Sequence, residues 1–124
     1  MTQTIFIVDD SATMTMSVKS SLEMNGFAVQ TAADGVQALK VLKGGLKPDL
    51  IITDIHMPHM GGLELIGNIR ALPGFRFTPI LTLTTEGDAG QRDEGKRLGA
   101  TGWLVKPVSG TDLVNVVRQV LPRA

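Results

Sequence analysis

The sequence predicts an α/β fold, an open parallel sheet of five strands with helices on both faces. Three observations lead there. Five short apolar runs recur along 124 residues, a helix-like segment follows each, and three of the runs lack the clean alternation of a half-exposed strand. Runs of that kind suit strands covered on both faces. Parallel neighbours need crossover connections, almost always right-handed, and repeated strand–helix units supply them. A closed eightfold barrel would need about twice the chain.

The first run is TIFIV (4–8), and residues 12–24 after it place Met14, Val18 and Leu22 four apart, one stripe of a helix that stops at Asn25-Gly26. FAVQT (27–31) alternates Phe27, Val29 and Thr31 and belongs nearer an edge. Asp34 with Gln37 reads as a capping box for a helix carrying Ala38, Leu39 and Leu42, ended by Gly44-Gly45. DLIIT (49–53) comes next, then a helix over 62–71 with Leu63, Ile66 and Ile69 on one face, ending before Pro73. TPILTL (78–83) is the fourth strand.

The helix predicted over 88–98 differs from the others. Asp88 and Gln91 can cap it, but QRDEGKR is almost wholly charged and only Ala89 and Leu98 are clearly apolar. Gly95 within it costs about 1 kcal/mol relative to alanine. This helix is expected to be the least firmly packed, as a solvated surface helix or as a signalling face. GWLV (102–105) is the fifth strand. In the last helix Ser109 and Asp112 form a cap, and Leu113, Val116, Val117, Val120 and Leu121 follow the helical period. The expected core includes Ile7, Val8, Ile51, Ile52, Ile80, Leu81 and Val105.

Size and composition bound the function. The length suits one domain over residues 1–124. Twelve basic and twelve acidic residues cancel, which argues against a general nucleic-acid binder. No cysteine is present, so there is neither a disulfide framework nor a thiolate metal site. No apolar run approaches membrane-spanning length and MTQTIFIVDD lacks the features of a signal peptide, so a cytoplasmic protein without membrane insertion is expected.

The chemistry is placed by the acidic residues. Asp9 and Asp10 close the first run, Asp54 ends the third, and Thr84 and Lys106 end the fourth and fifth. In a parallel sheet these ends share one rim, where such folds bind and react. Three gathered carboxylates repel one another, and a hard divalent cation relieves this; magnesium is favoured because it keeps waters and accepts phosphoryl oxygens. Asp9 and Asp10 could instead cap the first helix, which would leave Asp54, Thr84 and Lys106 unexplained. A lysine, a hydroxyl and magnesium are the parts that stabilise a phosphoryl group in transfer, and no P-loop is present. Asp54 is the best nucleophile, because an aspartate can form an acyl phosphate.

The acidic pair in VDDSATM, the aspartate of TDIHMPHMGG, the threonine of LTLTTEGD and the segment LGATGWLVKP carry a family resemblance. The chain resembles the receiver domain of two-component response regulators, most closely the chemotaxis type that consists of this domain alone. The resemblance implies a flavodoxin-like (βα)5 sheet in order 2-1-3-4-5, with two helices on one face and three on the other. It implies that Asp54 is the phosphoacceptor. Asp9, Asp10, Asp54 and the backbone carbonyl of His56 then form the magnesium site, with Asp10 the more direct ligand and Asp9 acting through water.

Further roles carried by the resemblance are phosphoryl stabilisation by Thr84 and Lys106, and a switch of Thr84 with Trp103. A cis bond before Pro107 and modulation by His56 and Glu86 complete the set. It implies a domain that catalyses only its own phosphorylation and dephosphorylation, a chemotaxis histidine kinase upstream, and a flagellar motor switch, phosphatase or histidine phosphotransfer protein as partner. The signal is expected to leave through a surface centred on Trp103, the helix over 88–98 and the last helix. Alternatives are a phosphorelay shuttle or phosphate sink, a magnesium-dependent phosphohydrolase, and an interaction domain that is never phosphorylated. His56 and His59 as a metal pair would lack a third ligand. Two positions depart from the family pattern. Gly61 stands where an aspartate is usual, which predicts an altered turn, and His56 stands where this type often has asparagine.

Overall fold

The computed structural model describes residues 2–84, 89–106 and 108–121. Strands β1 (Thr4–Val8), β2 (Ala28–Ala32), β3 (Leu50–Asp54), β4 (Ile80–Thr84) and β5 (Gly102–Val105) alternate with helices. These are α1 (Ala12–Met24), α2 (Gly35–Lys43), α3 (Gly62–Ala71), α4 (Ala89–Leu98) and α5 (Gly110–Val120). The strands pair in parallel in the order β2-β1-β3-β4-β5, the flavodoxin-like arrangement expected.

The central strands are covered on both faces, as their unbroken apolar character requires. On one face Ile5, Ile7, Ile52 and Leu83 pack with Val18 and Leu22 of α1 and Leu113 and Val117 of α5. On the other, Phe6, Val8, Ile51 and Ile80 meet Ala38 and Leu42 of α2 and Leu65, Ile66 and Ile69 of α3, with Leu98 of α4 at the margin. Two helices thus cover one face and three the other.

Local chemistry sets the boundaries. Ser11 caps α1 by accepting from the Met14 amide, and Gly26 at φ 92° ends it in the left-handed region that suits glycine. Asp34 caps α2 through the Gln37 amide, while the Gln37 side chain reaches back to the Ala33 amide, one residue before the position of a standard capping box. Ser109 caps α5 through the Asp112 amide. β4 begins at Ile80 rather than Thr78, because Pro79 has no amide to donate and serves the sheet only as an acceptor from the Ile51 amide. The cap expected from Asp88 lies outside the described residues.

Two core expectations are corrected. Val105 is 37% exposed, because β5 is an edge strand whose odd-numbered side chains receive little cover. The buried face of α3 uses Leu65 where Leu63 was expected; Leu63 is half-buried and turned to α4, its Cδ2 lying 3.5 Å from where a Cβ on Gly95 would stand. Gly95 is buried, Asp93, Lys96 and Arg97 are exposed, and Arg92 and Glu94 are half-buried. Among the described residues no helix is long and apolar enough to cross a membrane.

Candidate functional site

The parallel sheet delivers the strand ends to one rim. Asp9 directly follows β1, its amide donating to the Ala32 carbonyl at 3.1 Å and so extending the β1–β2 ladder by one residue. Asp9 is 4% exposed, its side chain only 1%. Oδ1 accepts from the Ser11 amide at 2.8 Å, which ties it to the start of α1. Oδ2 is buried without a hydrogen bond among the described residues, 3.2 Å from Lys106 Nζ. Asp54, the last residue of β3, is 7% exposed; Oδ1 accepts from the Ile55 amide at 2.8 Å and Oδ2 from Lys106 Nζ at 3.0 Å. Asp10 is exposed, and it joins Asp9 and Asp54 so that one oxygen of each lies within 4.8 Å of the others.

Lys106 reaches this point because its own amide donates to the Thr84 carbonyl at 2.7 Å, which carries the β4–β5 pairing one residue past β5. Its ammonium answers two of the three carboxylates. Burial disfavours that ammonium, but the bond and charge of Asp54, with the nearby charge of Asp9, outweigh burial and hold its pKa above the ordinary lysine value. Asp9 moves upward as well. Burial is the main cause, reinforced by the charge of Asp54 and opposed by the Ser11 amide and Lys106.

The close fit behind Asp54 depends on Gly62, the first residue of α3. A Cβ there would stand 2.1 Å from the Asp54 carbonyl oxygen, and the Gly62 amide donates to the Ile55 carbonyl at 2.8 Å. The sequence reading concentrated on Gly61 and missed this. The doubled glycine opening a helix directly after the acidic strand was the available signal, since glycine marks close backbone approach. Gly61 is the N-cap of α3 and supplies no side-chain cap.

Thr84 is 1% exposed, and its hydroxyl donates to the Leu104 carbonyl at 3.3 Å across to β5. Trp103 stands away from the acidic rim, 44% exposed, with the Arg92 guanidinium 5.4 Å from its ring centre. The sequence reading did not foresee Arg92 there. His56 and His59 lie in the β3–α3 loop with exposed side chains, and neither belongs to the three-carboxylate cluster. His59 takes φ 66°, unusual for a residue other than glycine. Pro107 and Glu86 lie outside the described residues.

The donor set suits a hard cation. Three carboxylates against one ammonium leave two negative charges uncompensated, every candidate ligand is oxygen, and Asp9 Oδ2 has an unused lone pair in the cluster. The residues present therefore fit a divalent metal.

A family model for the response regulator receiver domain matches residues 5–118. The chain belongs to the response regulator receiver family. Receiver domains are phosphoacceptor modules of two-component signalling, modified at an aspartate of such a cluster, rather than turnover enzymes with a separate substrate. This receiver is 38% identical over 120 residues to the chemotaxis protein CheY-3 of Vibrio cholerae, covering 96% of this chain and 92% of that protein. The structure of the chemotaxis response regulator CheY4 of Vibrio cholerae superposes with a TM-score of 0.92 at 40% identity, over 98% of this chain and 100% of that one. It is also 38% identical over 120 residues to the transcriptional regulatory protein CpxR of Escherichia coli, covering 97% of this chain and half of CpxR. Relatedness to chemotaxis receivers is close, and equal identity to CpxR shows that identity alone does not name the output.

Proposed function

We propose that Asp54 accepts a phosphoryl group from a phosphohistidine on a chemotaxis-type histidine kinase, and that residues 1–124 act as one cytoplasmic receiver domain. The observation that carries this reading is the Asp54 carboxylate held between the Ile55 amide and Lys106, with Asp9 and Asp10 beside it on an open rim. An Asp54 carboxylate oxygen attacks phosphorus as the P–N bond breaks; the electron pair leaves with the imidazole, which takes up a proton, and Asp54 becomes an acyl phosphate. Lys106 Nζ moves from Asp54 Oδ2 to a phosphoryl oxygen. The Thr84 hydroxyl exchanges the Leu104 carbonyl for another, and the displacement favours a different placement of Trp103. Asp9, Asp10, Asp54 and the His56 carbonyl are the residues that would hold magnesium, which when bound neutralises charge on the phosphoryl oxygens.

The test is intact mass after incubation with acetyl phosphate, with magnesium or with EDTA. One added phosphoryl group is expected with magnesium, none with EDTA, and none in Asp54→Asn. Labelling that survives Asp54→Asn refutes the assignment of the acceptor, and labelling indifferent to EDTA removes the metal. The output proposed is a chemotaxis one, through a motor switch component or phosphatase. Pulldown with the beryllofluoride-treated chain separates this from a relay or sink: recovery only of kinases and histidine phosphotransfer proteins would replace it.

A further inference from the structure

We infer that Arg92 is a clamp on Trp103: it holds the indole outward in the resting receiver and so sets how much phosphoryl binding is needed to switch it. The inference rests on the Thr84–Trp103 switch proposed above. Trp103 is on the edge strand, where half its surface meets solvent, and the Arg92 guanidinium lies over the ring at 5.4 Å. A guanidinium there covers apolar ring surface and is attracted to the negative face of the indole, and both effects exist only while the ring is outside.

The placement couples the clamp to the site. Trp103 pairs with Thr82, and Thr84 is two residues further along the same strand, so its side chain leaves the sheet on the same side. That is the side α4 covers, where Gly95 leaves only a backbone over Thr82; a Cβ there would be 3.9 Å from Thr82 Cγ2. The Thr84 hydroxyl is bonded to the carbonyl of Leu104, the residue after Trp103. Loss of that bond to a phosphoryl oxygen therefore acts on the β5 backbone beside the indole, while Arg92 acts on its face. Arg92 acts on the ring and Thr84 on the strand that carries it, so the equilibrium at Trp103 is shared between the acidic rim and α4, and a change at either is felt at the other.

Trp103 is the sole tryptophan, so its emission reports the switch directly. The protein is titrated with beryllofluoride in saturating magnesium, and the midpoint of the emission change is compared among wild type, Arg92→Gln, Arg92→Lys and Arg97→Gln. Loss of the clamp should lower the midpoint about two- to fivefold in Arg92→Gln, the population ratio of a half-exposed cation–π contact. Arg92→Lys should lie between that variant and wild type. Arg97, five residues further along α4 and engaged with Glu94, controls for net charge on α4, and Arg97→Gln should keep the wild-type midpoint. A midpoint in Arg92→Gln at or above wild type overturns the clamp, as does an equal fall in Arg97→Gln. If wild-type emission ignores beryllofluoride although Asp54 becomes labelled by acetyl phosphate, the switch at Trp103 fails and the clamp with it. A responsive wild type with an unshifted Arg92→Gln refutes the clamp alone.

Discussion

Replacing Asp9 by asparagine should make the metal-free protein more stable and the magnesium-bound comparison less favourable to the variant. The carboxylate is almost fully buried, one oxygen is bonded to the Ser11 amide, and the other has no hydrogen bond among the described residues. Taking this charged carboxylate out of water beside that of Asp54 costs about 1–3 kcal/mol beyond what the Ser11 bond returns. The Lys106 contact at 3.2 Å offsets part of this, but the lysine side chain is 24% exposed, so the pair is worth about 1 kcal/mol after solvent screening. The asparagine carbonyl can still accept from Ser11, and the repulsion from Asp54 disappears. A net gain of about 1 kcal/mol follows at pH 7 in EDTA, or about 3–5 °C in Tm.

The pH dependence has a definite sign. Asp9 is held above its ordinary value of 3.8, so the folded state binds this proton more tightly than the unfolded chain. Its contribution to stability therefore falls as pH rises from 3.8 through the folded value, and the penalty is complete above both. The advantage of Asp9→Asn should shrink as pH is lowered through that window. Magnesium should act oppositely. At a hundredfold excess over Kd, binding stabilises by about 2.7 kcal/mol, which exceeds the gain from the substitution, so wild type should overtake a variant that has lost a ligand. Thermal melts of both proteins in EDTA and in a magnesium series, at neutral and acid pH, measure all of this. A variant that melts below wild type in EDTA at pH 7, or magnesium raising both melting points alike, would refute the reasoning.

Gly62→Ala should cost upward of about 2 kcal/mol and slow labelling of Asp54, because its Cβ would meet the Asp54 carbonyl oxygen at 2.1 Å and force α3 away; urea melts and intact mass check both effects. Arg70→Met should destabilise by about 2–3 kcal/mol without preventing phosphorylation. Its guanidinium donates to the carbonyls of Gly99, Phe75, Arg76 and Thr78, joining the end of α3 to the loop before β4 and to the α4–β5 turn; a urea midpoint shift at unchanged labelling is the expected record. Gly95→Ala should stabilise by about 0.5–1 kcal/mol, since the new Cβ would find ordinary contacts at 3.5–3.9 Å with Leu63, Ala100 and Thr82; a lower Tm would mean that α4 cannot accept even a methyl group over β4.

The residue pattern alone predicted an open five-stranded parallel sheet with helices on both faces; its order 2-1-3-4-5 came with the family resemblance. Five apolar runs joined by capped helical segments leave few topologies, since crossover handedness and strand coverage act locally and repeat along the chain. Ser109, Asp34 and the glycines after α1 and α2 act within a turn of their own position, so they were legible without coordinates. Asp9, Asp10, Asp54 and Lys106 were legible for a different reason: parallel strands bring their carboxyl ends to one rim whatever the side chains between them.

Tertiary structure decided what depends on approach between distant segments. Val105 looked like core because β-branched residues read alike in central and edge strands; the expected order already put this strand at an edge, and only the structure shows how little covers its outer side chains. Leu65 is buried where Leu63 was expected, because Leu63 turns to Gly95 of α4, a neighbour that spacing within α3 does not encode. The Arg70 fork, the Arg92 guanidinium over Trp103 and the division of labour between the two oxygens of Asp9 are likewise contacts between side chains and partners remote in sequence. Local propensity fixes which elements form. Packing fixes which atoms face each other, and in this receiver it places Asp9 deepest in the acidic rim and Arg92 over Trp103.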